Sequence, residues 1–559
     1  MGDTPTTRAA QPAGWRDDDA DVLVVGAGLG GIAAAVAAAR LGRQVVLTEP
    51  TRWIGGQLTS QAVPPDEHRW IEEGWCSTSY ATLRREIRHT YRRHWPLSPV
   101  ARTYQQLNPG LARVSRICHE PRVALGVLTA MLEPYLATGA VRLLAGAEPV
   151  AASTQADRVT SVTFRLTNSV PEQENTGNEV TITPTFVIDA SELGDLLELA
   201  GVEHVIGAEG ADRTGEPHAP AVADPLDQQA ITWCFALEYR PGEDHTIDRP
   251  AAFDRWAAYQ APFWPNRQLS LSDVDPQTLA HRSQPLFGQT SESGRPPADW
   301  WTYRRVRAAS QFTNPIRTDV TLVNWPQIDY WLEPALRPGA PEPAAVRAAA
   351  EAEAAALSRS FLYWLQTQAP RPDGGVGWPE LRPAGEVTGT PDGMALAAYI
   401  RESRRIEALV TVTEEHVGVE ARQAAGRSPR SEMFADSVGI GAYRIDLHPS
   451  TAGRTYVDID SYPFQIPLGA LVPVRMRNLV PANKNIGTTH ITNGCYRLHP
   501  VEWAIGEAAG ALAAFCVTGG HEPTQVHGND RLLTDFQALL SGTFGVPLSW
   551  TDEIAGHAI

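Results

Sequence analysis

The chain has 559 residues, 43% of them hydrophobic and 20% charged, with a formal net charge of −17. That excess of carboxylates argues against nucleic acid or an anionic membrane surface as a partner, because both need concentrated Lys and Arg to neutralise phosphates. The length exceeds what one hydrophobic core serves, so two structural units are expected, and no apolar run reaches the roughly 18 to 20 residues that span a bilayer.

Residues 1–20 are polar and lack an apolar core followed by a cleavage site, so they read as a disordered tail of a cytoplasmic protein rather than a secretory signal. Next comes a run of strand character, Asp21 to Val25, that leads directly into Gly26-Ala-Gly28-Leu-Gly-Gly31 and an Ala-rich helix. In a dinucleotide-binding turn of this kind Gly26 permits the bend, Gly28 lets backbone N–H groups approach a diphosphate, and Gly31 lets the helix lie close to the strand. A second strand, Gln44 to Thr48, ends at Glu49, whose carboxylate suits ribose hydroxyls and repels a 2′-phosphate. Beyond it, Gly55-Gly56-Gln57 supplies paired glycines where the backbone would pass under a second nucleotide half and a flavin ring, which favours FAD over NAD.

Four further stretches, Val141 to Leu144, Glu148 to Ala152, Arg158 to Leu166 and Glu179 to Thr183, read as a meander with a polar hairpin loop at 168–178. The strand Phe186 to Asp189 then enters a small-residue turn, Ala190-Ser191-Glu192-Leu193-Gly194-Asp195, ahead of a helix at 196–200. Between Ile231 and Trp378 aromatic rings are dense, Trp233, Trp256, Trp300, Trp301 and Trp325 among them, in an expected substrate unit with a helix over 344–366 and loops at 290–298 and 336–343. Aromatic walls suit a flat organic ligand, and any single ring equally suits a core. Gly374-Gly375-Val-Gly377 and Gly439-Ile-Gly441 read as turns. No second nucleotide fold is visible, which favours an oxidase or dehydrogenase over an NAD(P)H-driven reductase. The last segment runs from Arg477 through Gly487 and a turn to a helix over 500–515, whose Gly506 and Gly510 leave a flat face for a sheet or ring. The five cysteines are scattered, with no C-x-x-C pair and no His/Cys cluster of metal-ligand spacing, so neither a redox dithiol nor a bound metal is expected.

The glycine turn, Glu49, Gly55-Gly56-Gln57, the turn 189–195, the run Arg401-Glu-Ser-Arg404-Arg405-Ile406 and Gly506-Glu-Ala-Ala-Gly510 together resemble the FAD-dependent oxidoreductases of the glutathione-reductase-like superfamily, over roughly residues 20–530. Relatives often read Ala-Thr-Gly-Asp-Gly-Asp in the central turn; here Ser-Glu-Leu-Gly-Asp replaces its middle. The resemblance implies an α/β fold: a Rossmann-like FAD-binding domain with parallel sheet and β-meander, plus a second α+β substrate domain. The expected division is FAD-binding over 20–210, substrate cap over 211–400, a return to the FAD-binding domain over 401–535, and a C-terminal extension over 536–559. FAD is expected to rest on Gly26, Gly28, Gly31, Glu49, Gly55, Gly56 and Gln57, with Asp189, Ala190, Gly194, Asp195 and Gly487 from the distant segments.

Hydride transfer to a flavin from an alcohol or amine needs a base to remove the heteroatom proton. Candidates are His490 and His499, on either side of the turn before the last helix, and His448, on the polar face of a strand that also carries Arg444 and Asp446. Arg404 is a candidate contact to substrate or flavin. The expected activity is oxidation of a small organic substrate, an aromatic one included, by an FAD enzyme. The alternatives are a flavin monooxygenase or double-bond reductase driven by NAD(P)H, a flavin-bearing carrier without turnover, and a non-flavin NAD-binding protein.

Overall fold

The computed structural model describes residues 19–167, 179–288 and 298–559. The tail expected over 1–20 lies outside them except for Asp19 and Ala20, which already belong to the first strand; the hairpin loop at 168–178 and nearly all of the loop at 290–298 also lie outside. Six strands, β1 (Asp19–Val25), β2 (Val45–Glu49), β3 (Val141–Ala145), β4 (Ala147–Gln155), β5 (Arg158–Leu166) and β6 (Glu179–Asp189), form one sheet with the distant strand Leu479–Pro481, in the order β3-β2-β1-β6-β5-β4 with Leu479–Pro481 beside β6. β1 pairs in parallel with β2 and β6, so Val25, Thr48 and Asp189 arrive at one end of the sheet, where Pro481 joins them. The N-terminal residues of β6 pair antiparallel with β5, which makes β4-β5-β6 the meander. Val141–Ala145 is not part of it but lies parallel to β2, because the helix Pro121–Ala137 ahead of it supplies the crossover that parallel pairing requires.

The helix α1 (Leu29–Arg40) is buried along nearly its whole length. Its partner is the helix His499–Gly519. A Cβ at Gly506 would stand 2.0 Å from the Gly30 carbonyl oxygen, and one at Gly510 would stand 2.1 Å from that of Ala34. The flat glycine face of the last helix therefore packs on α1, backbone against backbone, and not on a sheet or ring. By length and composition this helix resembles a membrane span, yet 83% of its most apolar window is buried inside the protein, as in a core helix.

A second, antiparallel sheet joins Arg305–Arg307, Val320–Val323, Phe235–Tyr239 and Leu381–Pro383, with the helix Pro343–Thr367 beside it. Trp256, Trp300, Trp325 and Phe361 are fully buried in one hydrophobic cluster there, so most of the aromatic density of the middle segment is core. Gly439-Ile-Gly441, expected as a turn, is part of the strand Ser437–Gly441. A Cβ at Gly441 would stand 2.4 Å from the Phe464 ring, so the glycine makes room for a ring rather than a bend.

Candidate active site

The carboxyl ends of β1, β2 and β6 open onto a cleft, the position at which open α/β sheets bind ligands. Gly26, Gly28, Glu49, Gly56, Ala190 and Asp195 line it. At Gly26, with φ of +97°, a Cβ would meet the Ala190 carbonyl at 2.5 Å, so the chain leaving β1 and the chain leaving its parallel neighbour β6 touch through backbone alone. Glu49 ends β2 buried: its Oε2 accepts the Ala27 N–H at 3.2 Å, and its Oε1 accepts the Thr51 N–H at 2.9 Å and the Thr51 hydroxyl at 2.7 Å. Burial pushes its carboxyl up to about 7 against those hydrogen bonds.

The other expected cofactor residues stand behind this surface. Gly31 packs on the Gly26 carbonyl, Gly55 on Leu128 and Thr59, Gly194 on Arg404, and Gly487 on Ala408 and Val410. Asp189 turns inward to accept the Ser191 N–H at 3.0 Å and its hydroxyl at 2.6 Å, and burial raises it to about 6. Gln57 donates to the Arg497 carbonyl at 3.1 Å and to Glu502.

Beyond the cleft wall lies a network of polar side chains. Ala397, Ala398 and Ile400 line the cleft, while the hydroxyl of the intervening Tyr399 accepts from Arg497 Nη1 at 2.7 Å. Arg497 Nη2 donates to the Asp446 carbonyl at 2.9 Å. His448 Nε2 lies 3.9 Å from Asp446 Oδ2, and His448 Nδ1 meets Asp329 Oδ2 at 2.6 Å. Asp329 is itself held by Arg401 at 3.0 Å, and the Arg401 guanidinium stacks on Tyr399 at 4.8 Å, closing the circuit. Burial and then Arg401 lower the His448 pKa, against Asp329 and Asp446, so the imidazole is neutral at neutral pH. Burial also raises the Tyr443 phenol, which feels the charges of Asp66 and Asp446 on one side and Arg497 and Arg304 on the other, so it remains a donor.

The other three catalytic candidates have structural partners. His490 lies on a short helix, His490–Tyr496, where a turn was expected; a capping box from Thr489 and Thr492 starts it. Its Nδ1 meets both Glu402 oxygens at 2.9 Å and its Nε2 meets Arg454 at 2.7 Å, so neither ring nitrogen is open. Burial pushes Glu402 up, but His490 and Arg405 outweigh it and hold the carboxyl at about 2. His499 accepts the Asp66 N–H at 3.1 Å through Nδ1, and its Nε2 meets the Val63 carbonyl at 3.3 Å; burial lowers its pKa to about 4. Arg404 donates to the Leu193 carbonyl at 3.0 Å and pairs with Glu198 and, at 3.6 Å, with Asp195.

Sequence reading does not single out Asp329, Tyr399, Lys484, Glu192 or Glu502 as site residues. Glu192 lies within the turn 189–195 and Glu502 in the first turn of the last long helix, but nothing in the residue order shows that they meet; Asp329, Tyr399 and Lys484 lie outside the motifs altogether. Trp233, one of the many rings noted, lines the cleft, as does Gln61, and among the described residues Gln61 and Gln57 each keep a buried carbonyl oxygen with no hydrogen-bond partner.

A family model described as FAD dependent oxidoreductase matches residues 21–540. No curated protein matches. Among solved structures, the chain is similar to the myxobacterial chondrochloren halogenase CndH (16% identity, 41% of this chain and 46% of that chain, TM-score 0.21). It is similar as well to CabE, an aromatic hydroxylase from angucycline biosynthesis (16%, 50% and 45%, TM-score 0.23). A third is a geranylgeranyl bacteriochlorophyll reductase-like protein from Thermoplasma acidophilum (11%, 94% and 84%, TM-score 0.29). The matches to the halogenase and the hydroxylase span about half the length of those two chains.

Proposed function

The chain belongs to the FAD-dependent oxidoreductase family, and from that premise we propose that it is an oxidase or dehydrogenase of the glutathione-reductase-like type that takes a hydride from a small organic alcohol or amine. The residues present fit the cofactor. The glycines at the strand ends bring no side chain of their own into the cleft, Glu49 offers ribose hydroxyls a carboxylate, and the unpartnered oxygen of Gln61, in the cleft lining, matches a ring that brings N–H donors. Bound there, FAD supplies the two-electron acceptor.

The observation that carries the reading is the His448–Asp329 pair. Asp329 accepts from Nδ1, which fixes the tautomer and leaves the Nε2 lone pair free to take the proton from a substrate hydroxyl or amine. Tyr399, held by Arg497, and Tyr443 supply hydroxyl donors to orient the substrate oxygen or nitrogen. Trp233 in the cleft wall suits an aromatic substrate.

Anaerobic mixing with panels of small alcohols and amines, with no pyridine nucleotide, tests the assignment. The wild-type flavin should bleach with the right compound. Rapid bleaching by NADH or NADPH alone would sink the proposal in favour of a hydroxylase or double-bond reductase, and a flavin that no compound bleaches would mark a carrier.

A further inference from the structure

The Glu192–Lys484 pair at the glycine turn has no part in the proton transfer assigned to His448. Glu192 follows Ser191 in the turn after β6. Its Oε1 stands 3.1 Å from where a Cβ on Gly28 would lie and 2.7 Å from where one on Gly56 would lie. Glu192 Oε1 thus fills the space that these two glycines leave at the N-terminal end of α1, where helix N–H groups favour negative charge; beside it Glu502 Oε1 accepts the Gly30 N–H at 3.1 Å and stands 3.3 Å from the Gly28 Cβ position. The other Glu192 oxygen pairs with the Lys484 ammonium, whose side chain is 0% exposed. Lys484 also reaches Asn483 Oδ1 at 3.1 Å. Burial alone would lower its pKa, but Glu192 and then Glu502 outweigh burial and hold it above its ordinary value. The ammonium is therefore a fixed cation beside a site built for an anion.

We propose that Glu192 holds the seat of the FAD diphosphate and that Lys484 is the cation that binds the diphosphate once Glu192 has moved out. A diphosphate resting on Gly28 and Gly56 cannot share that volume with the Glu192 carboxylate, and two anions beside one lysine in a low-dielectric site repel each other. Exchange of one anion for the other keeps Lys484 paired throughout, which matters because an unpaired buried ammonium is strongly disfavoured. Glu192 is partly exposed, at 20% for its side chain, so it has a way out, whereas Lys484 has none. The inference rests on FAD as cofactor and not on the direction of the redox reaction.

The test is equilibrium binding of FAD, ADP and adenosine to the full chain after the cofactor is stripped, read by flavin fluorescence and calorimetry. E192Q should bind FAD and ADP about tenfold more tightly or better, with adenosine, which lacks the diphosphate, unchanged. K484Q should weaken FAD and ADP about tenfold or more, and should do so in the E192Q background as well. E192A serves as the second variant, and both are used at temperatures below their unfolding transitions. Unchanged or weaker FAD binding in both Glu192 variants would overturn the proposal. So would a K484Q loss that vanishes beside E192Q, since that pattern belongs to a structural ion pair. None of these readings depends on turnover, so a failed hydride-transfer assignment would leave the result intact.

Discussion

The cleft and the polar network beside it are built by different means. The floor of the cleft comes from short contiguous motifs: glycines at strand ends, the start of α1, and the buried Glu49 at the end of β2. The network is all side chain: His448, Asp329, Arg401, Tyr399, Asp446 and Arg497 come from four separate stretches of chain and hold one another through charge and hydrogen bonds. A cofactor that recurs in many proteins can be held by a local geometry, while proton transfer needs one basic nitrogen oriented by groups that only folding brings together.

The largest disturbance should come from the scaffold common to both. Gly506→Val would drive a branched side chain into the Gly30 backbone, where even a Cβ stands at 2.0 Å. A loss of at least about 3 kcal/mol is expected from such overpacking, seen as a lower denaturant midpoint and loss of bound flavin. An unchanged midpoint would mean that the two helices do not touch there.

Removing the base should separate the two regions. H448Q should keep FAD bound while kcat falls about 10²- to 10⁴-fold, the usual share of a general base. Because burial and Arg401 lower the His448 pKa, wild-type kcat should rise with pH up to a value below the ordinary histidine range and then level off. Asp329 is one of the groups that raises that pKa, so D329N should lower kcat and move the acid limb to still lower pH. A limb that moves up, or H448Q turnover near that of the wild type, would break the assignment.

The smallest effect should be at Glu49, and it should appear in binding alone. Its carboxyl is raised to about 7 by burial, so it is protonated below that value and becomes a charged acceptor above it. FAD binding should therefore strengthen as pH rises through about 7, and E49Q should flatten that step at a loss of about 1.5–3 kcal/mol, the range for a hydrogen bond to a charged group. Titration of FAD into both proteins across this interval decides the matter.

Much of the cleft could be read from residue order. Gly26, Gly28 and Glu49 line it, at the strand ends where their spacing places them, since a strand, a tight turn and a helix in immediate succession permit few arrangements. The misreadings came from residues whose meaning depends on a neighbour. Gly506, Gly510 and Gly441 signal close approach, but the approaching group is a helix backbone in two cases and a Phe464 ring in the third. His490, His499 and His448 look alike as isolated histidines. Only their partners distinguish two rings with both nitrogens engaged from one whose Nε2 stands 3.9 Å from the nearest carboxylate, Asp446.

By itself the sequence determined the glycine turn, the acid that ends β2 and the parallel-rich sheet, because those depend on dihedral freedom and hydrophobic spacing within short stretches. The tertiary structure alone decided which histidine has an aspartate behind it, which glycines line the cleft, and that Glu192 and Lys484 meet there. Such pairings join positions hundreds of residues apart, and their energies come from burial and charge that exist only after the chain has packed.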